Sequence, residues 1–250
     1  MRRLAPVVAF MVAGSVLTVA GCAGPGPVPE LPSEPPGTPV VVTLGDSVPA
    51  GTACGCDPFP GRYAQLVSPG AVSVNLAQSG DTSADVRTEA DDATVRADLR
   101  QATVVLIMVG ANDLAAAFAG GQDDAAYEAA AGDVQVNVAA TVDTVMRAHG
   151  TPVTVLVLGY WNVLKDGAAG LAAYGAAGLA SARSATRYCN LALRRAAAQT
   201  GARYVPTTTT FRGDHRTLDP TGMLAPDGDH PNAAGQEAIA EEVYAAVPAG

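Results

Sequence analysis

Val40-Val41-Val42-Thr43-Leu44-Gly45-Asp46-Ser47 opens on an apolar run and closes on a glycine, an acid and a hydroxyl. The run reads as a strand buried on both faces, the pattern of a parallel sheet covered by helices. Gly45 lets the backbone bend sharply where that strand ends. In open α/β sheets, ligands and reacting groups collect at the carboxyl ends of the strands, so Ser47 stands where a nucleophile is expected. Taken alone, a serine at this place reads first as the N-cap of a following helix.

Four further segments, residues 71–76, 103–109, 153–158 and 203–205, are short, mostly rich in Val, Leu and Ile, and read as strands. Helical spacing lies between and after them. Val134, Val138, Val142, Val145 and Met146 form one apolar face stopped by Gly150. Residues 181–199 are Ala- and Arg-rich, and residues 233–247 follow Asn232, a good N-cap, with Ile239, Val243 and Val247 on one face. Such alternation over roughly 210 residues predicts a three-layer α/β/α fold, flavodoxin-like, with a five-stranded parallel sheet and right-handed crossovers.

On that skeleton the polar landmarks fall together. Ser47 follows the first strand, Ser79-Gly80-Asp81 the second and Gly110-Ala111-Asn112-Asp113 the third, while Asp227-Gly228-Asp229-His230 precedes the last helix. All are expected on one rim. Acyl transfer needs a nucleophile, a base, a group that orients the base, and donors for the oxyanion. Ser47 supplies the hydroxyl. His230 is the one histidine of three in a turn flanked by carboxylates, and Asp227, three residues before it, can fold back onto Nδ1 and leave Nε2 for Ser47. Asp229 is expected to point elsewhere, as a surface or turn-stabilising acid. The backbone N–H groups of Ser47 and Gly80 and the side-chain amide of Asn112 are the oxyanion donors. Each has a bland reading of its own: a turn glycine for Gly80, an Asx-turn or N-cap for Asn112, a solvated acidic turn for residues 227–230.

Together these blocks resemble the SGNH-hydrolase family, also called GDSL esterases or lipases. The resemblance runs from Val40 to about Val247 and rests on Gly45-Asp46-Ser47-Val48-Pro49-Ala50-Gly51, the Gly80 region, Gly110-Ala111-Asn112-Asp113 and Asp227-Gly228-Asp229-His230-Pro231. It implies Ser47 as nucleophile, Gly80 and Asn112 as oxyanion donors, and His230 as base with Asp227 as its partner. Val48 stands where the family's popular name expects Leu, a packing position that leaves the chemistry untouched. Asp46 is read as structural, bonding backbone amides at the turn.

The N-terminus suggests export. Arg2 and Arg3 precede an apolar stretch to Ala20, the layout of a signal peptide over residues 1–21. Val19-Ala20-Gly21-Cys22 resembles a bacterial lipobox, which implies cleavage before Cys22 and acylation of its thiol. Acyl chains, at roughly 0.8 kcal/mol per buried methylene, would then anchor the protein at a membrane without spanning it. Residues 23–39 carry seven prolines and form a linker rather than a packed element.

Loss of Arg2 and Arg3 takes the formal charge from −9 to −11, which argues against a nucleic-acid partner. With Cys22 acylated, Cys54, Cys56 and Cys189 remain. One disulfide is expected, tying the Cys54–Cys56 loop either to Cys189 or across itself; otherwise Cys189 is a buried small hydrophobe. No histidine accompanies these thiols at metal-ligand spacing, so neither a metal nor a cofactor is expected.

Tyr160-Trp161-Asn162 follow the fourth strand near the same rim, before the flexible-looking stretch 165–178. Trp161, the sole tryptophan, reads more readily as core than as pocket wall. Residues 52–61 are a second candidate wall, and His215 is expected at the surface. The expectation is a monomeric, exported, lipid-anchored serine esterase acting on a lipid, short-chain acyl or O-acetyl glycan ester. A non-catalytic cell-surface binding lipoprotein is the alternative, disfavoured because a binder has no need of Ser47, Asn112, Asp227 and His230 together. A metal hydrolase built on Asp227, Asp229 and His230 lacks further histidine ligands.

Overall fold

In a computed structural model the described residues are 37–121 and 123–247. The signal segment, Cys22 and the linker up to residue 36 lie outside them. The five expected strands are present: β1 (Val40–Gly45), β2 (Val72–Asn75), β3 (Val104–Met108), β4 (Thr154–Leu158) and β5 (Arg203–Val205). They form one parallel sheet in the order β2-β1-β3-β4-β5. Val42 is in register with Val74 on one side and Val105 on the other, so β1 is interior. Every residue of β3 is buried, which explains its unbroken apolar run.

Helices α1 (Ser47–Ala50), α2 (Phe59–Val67), α3 (Ser83–Ala90), α4 (Ala93–Leu99) and α5 (Ala111–Gly120) occupy the first half. They are followed by α6 (Asp124–His149), α7 (Gly167–Thr200), α8 (Thr208–Arg212) and α9 (Ala233–Ala246). Helix α2 packs on β1 and β2 and against α9, while α6 gathers α3, α4, α5 and α7, giving the three layers. Val134, Val138, Val142 and Val145 are the buried stripe of α6, and Gly150 ends it in a left-handed cap. Asn232 caps α9 by accepting from the amides of Ala234 and Gly235.

One expectation fails here. The stretch 165–178 is largely helix: α7 begins at Gly167, capped by Asp166, and only Gly175 departs from helical dihedrals. Its run of Ala and Gly lacks the apolar periodicity that marks a helix in sequence, although alanine is the best helix former.

Candidate active site

Asp46, not Ser47, caps α1. Its carboxylate accepts from the Val48 amide at 3.2 Å, which leaves Ser47 as the first helical residue with its hydroxyl unused by the cap. The N-cap reading of Ser47 is therefore replaced, and the structural reading of Asp46 holds. Helix α1 is pinned from two sides: Gln236 of α9 donates to the Val48 carbonyl at 3.0 Å, and Asn75 at the end of β2 donates to the Pro49 carbonyl at 2.7 Å. Gly45 is obligatory in this corner, because a Cβ would lie 2.3 Å from the Met108 carbonyl oxygen.

The Asp227–His230 turn arrives from the other direction. It is closed by a short antiparallel bridge between Leu224 and Pro231 and tied to the start of α7 through the Asp166 amide and Gly228 carbonyl at 2.8 Å. Within it, Asp227 accepts from the amides of Asp229 and His230, and its second oxygen lies 2.7 Å from His230 Nδ1. His230 Nε2 lies 2.9 Å from Ser47 Oγ. Burial opposes ionisation of Asp227, yet the amide of Asp229 and the ring and amide of His230 outweigh it and hold the carboxyl below its ordinary value. Asp227 is thus an ionised partner for the imidazole.

Ser47, Gly80, Asn112 and His230 line one cavity of about 360 Å³. Gly80 has φ +95° in the loop before α3, a conformation that favours glycine. Asn112 sits in the first turn of α5, whose cap is Gly110, so it is not itself the cap. Its amide nitrogen donates to the Asp81 carbonyl at 2.8 Å, which fixes the side chain and leaves the second N–H for a ligand. The next residue, Asp113, accepts from the amide and hydroxyl of Ser83 and so joins the Asn112 turn to α3.

The remaining wall includes Thr52, Tyr160, Asn162, Val163, Leu164 and Asp229. Asp229 therefore does not point away as expected. Gly228 at φ +72° re-aims the turn, and burial at the cavity raises the Asp229 carboxyl above its ordinary value. Tyr160 and Asn162 reach the site, while Trp161 between them is buried against Phe211 in a stacked pair, ring centroids 4.0 Å apart. Thr52 contributes from the expected second wall, bonded to Ser79, and the disulfide in that loop joins Cys54 to Cys56. Cys189 is buried and unpaired, as a small hydrophobe. His215 is exposed. Two contributors carried no local signal in sequence: Gln236, which also accepts from the Phe59 amide at 2.8 Å, and the Tyr160 hydroxyl, which donates to Asp46 at 2.5 Å.

The family model described as GDSL-like Lipase/Acylhydrolase matches residues 43–238. The chain belongs to the GDSL-like lipase/acylhydrolase family. It is accordingly a carboxylic ester hydrolase, and the four sequence blocks lie within the matched span. Solved structures of similar fold include the lipase Lip_vut3 from a goat rumen metagenome, at 19% identity, TM-score 0.70, and 84% and 97% coverage of this chain and of that one. An acetyl-xylooligosaccharide esterase, Axe2 from Geobacillus stearmophilus, solved as a mutant, matches at 18% identity and TM-score 0.60, with 85% and 95% coverage. Phospholipase A1 from Streptomyces albidoflavus NA297 matches at 20% identity and TM-score 0.59, with 84% and 100% coverage. At these identities the likeness is one of fold. A comparison with curated proteins returns no match.

Proposed function

We propose that Ser47, His230 and Asp227 form the catalytic triad of an exported serine esterase, and that the amides of Ser47 and Gly80 with the Asn112 side chain receive the oxyanion. The observation that carries this reading is the continuous line from Asp227 Oδ2 to His230 Nδ1 at 2.7 Å and from His230 Nε2 to Ser47 Oγ at 2.9 Å. His230 takes the Ser47 proton as Oγ attacks the ester carbonyl carbon. The carbonyl oxygen gains the negative charge and faces the three donors, which stabilise it in a partly dry cavity. When the tetrahedral intermediate collapses, the protonated imidazole passes its proton to the departing alkoxide, and the acyl group stays on Ser47. Water then repeats the sequence, with His230 as base, and frees the acid. Asp227 holds the imidazole tautomer and stabilises its charged form.

The substrate is an ester with a short acyl chain, on a lipid or a glycan. The support is the size of the cavity, near the lower end of the range for ligand sites, with Val163 and Leu164 beside the polar Thr52 and Asn162. The neighbours of similar fold include a lipase, an acetyl-xylooligosaccharide esterase and a phospholipase A1, which agrees with a carboxylic ester but selects no one of them. Acylation of Cys22 belongs to the same reading: it follows Val19-Ala20-Gly21 and a proline-rich spacer, and would leave the domain anchored outside the membrane.

Hydrolysis of p-nitrophenyl esters of increasing chain length, and of acetylated sugars, tests the proposal. Wild type is expected to prefer short chains and Ser47→Ala to be inactive at equal fold. Equal rates in the variant overturn the nucleophile, and a preference for long chains overturns the acyl assignment. Cys22→Ser is expected to release the protein from membranes, and unchanged association overturns the anchor.

A further inference from the structure

The sequence is acidic overall, with 24 Asp and Glu against 15 Lys and Arg. Five of those arginines nevertheless converge on one cavity of about 450 Å³: Arg183, Arg187 and Arg194 from α7, Arg212 from the end of α8, and Arg216 just beyond it. The first three lie four and seven residues apart, which puts them on one helix face. The cavity shares no lining residue with the catalytic one. The chain between Tyr160 and Leu164 separates the two, with Trp161 on the arginine side and its neighbours on the catalytic side.

The charges in this cavity are not balanced. Buried Asp166 is taken by Arg212 and faces Arg183 at 3.9 Å, and Asp219 lies in the field of the same two arginines. Arg187, Arg194 and Arg216 have no carboxylate within ion-pair distance among the described residues. Among the described residues Arg187 donates to the Ser184 hydroxyl, and Arg194 rests over the Tyr204 ring, 5.3 Å from its centroid, with a side-chain hydrogen bond to Tyr204. A second observation points to a ligand. Trp161 is 2% exposed and lines the cavity, and its indole Nε1 is buried with no hydrogen-bond acceptor in the described protein. A buried donor without an acceptor is costly, and a bound oxyanion would satisfy it.

We propose that this cavity is a binding site for a phosphate group, carried by a soluble phosphate ester or by the headgroup of an anionic phospholipid, and separate from the ester-cleaving site. Guanidinium forks match tetrahedral phosphate oxygens two at a time, and three forks without a carboxylate partner around one cavity suit a doubly charged ligand better than a lone carboxylate. The wall also gives occupancy a route to the other side. Asn190 lines the arginine cavity and pairs with both the amide and the carbonyl of Tyr160 at 2.8 Å, and Thr186 bonds to Asn162 and the Val163 amide.

Because Trp161 is the only tryptophan and lines this cavity, its emission reports on the cavity's wall. The full chain is titrated at constant ionic strength with inorganic phosphate, with glycerol 3-phosphate, and with phosphatidylglycerol vesicles against phosphatidylcholine vesicles. The expected result is a saturable emission change with at least one phosphate probe. It weakens by about tenfold or more in the triple variant Arg187→Gln, Arg194→Gln, Arg216→Gln, and to a lesser extent in Arg216→Gln alone, which lies at an exposed position. Near-ultraviolet circular dichroism checks that both variants fold. A stronger response to glycerol 3-phosphate than to phosphate assigns a soluble ester, and a response confined to phosphatidylglycerol vesicles assigns a headgroup. No saturable response to any probe, or equal responses in wild type and both folded variants, overturns the site. Ser47→Ala is expected to titrate like wild type, so failure of the esterase reading and failure of this one are distinguishable.

Discussion

Tyr160 Oη donates to Asp46 Oδ2 at 2.5 Å across 114 residues of sequence, directly behind the turn that presents Ser47. Both side chains are fully buried. Burial pushes the Asp46 carboxyl up to about 7, against the pull of the Tyr160 hydroxyl, the amides of Val48 and Ala111, and the charge of His230. The folded chain therefore binds this proton more tightly than the unfolded chain does. The associated stability is complete below pH 3.8, the unfolded value, and is lost as pH rises through about 7. Asp46→Asn keeps an acceptor for the Val48 amide and removes the titration. The urea midpoint of wild type is expected to fall between about pH 5 and about pH 8 by more than that of the variant, with a difference of up to a few kcal/mol at about 1.4 kcal/mol per unit. Equal slopes would refute it. Tyr160→Phe is expected to cost about 1–3 kcal/mol and to extend the loss to higher pH.

Asn112 gives a separate test of the oxyanion assignment. One of its amide protons is committed to the Asp81 carbonyl, so the side chain is held in place before substrate arrives. Asn112→Ala is expected to lower kcat by about 10²–10³ with a much smaller change in KM, since the lost bond strengthens only as charge develops. A change confined to KM would place Asn112 in substrate binding instead.

Much of this was legible in sequence because burial on both faces writes itself as an unbroken apolar run. All five strands are of that kind or lie in register with one, as Arg203–Val205 does with β4. The meeting of Ser47, Gly80, Asn112 and His230 was legible because each stands at a strand end or before a helix, where topology brings them to one cavity, and Asp227 reaches it through His230. The misses share a cause. Gln236 is an isolated polar residue within a helix, and its partners Val48 and Phe59 are 188 and 177 residues away. Asp229 was expected away from the site but lines the cavity, in a turn that passes through Gly228 at φ +72°, a conformation its neighbours' chemistry does not announce. The alternation of Tyr160, Trp161 and Asn162 between two cavities is a tertiary outcome, and composition held no sign of it.

Gln236 links the two halves of the candidate site: it holds the carbonyl behind Ser47 from the helix that follows His230. It is fully buried, and both ends of its amide are satisfied. Gln236→Leu leaves the Phe59 amide unpaired and the Val48 carbonyl with the Gly51 amide as its remaining donor, and is expected to cost about 1–3 kcal/mol. Among molecules that fold, kcat is expected to fall at least about tenfold because the Ser47–His230 distance is no longer fixed. A destabilised variant with unchanged kcat would show that α1 keeps its place without Gln236, through Asn75 and the Asp46 turn.

Gly80 lines the cavity and Gly45 ends β1 two residues before Ser47, and the two separate chemistry from fold. At Gly45 an added Cβ meets the Met108 carbonyl oxygen at 2.3 Å and Pro49 Cγ at 2.8 Å, so β1 and β3 must part. Gly45→Ala is expected to lose more than about 4 kcal/mol of stability, read as a large fall in Tm or as insoluble protein. At Gly80 an added Cβ meets nothing within 4 Å, and the only obstacle is the backbone at φ +95°. Gly80→Ala is expected to fold, with about 1–3 kcal/mol of strain. Relief of that strain re-aims the Gly80 amide, so kcat should fall by about tenfold or more while the melting transition shifts only modestly. Equal losses of stability in the two variants would show that the Gly80 loop serves the fold rather than the oxyanion.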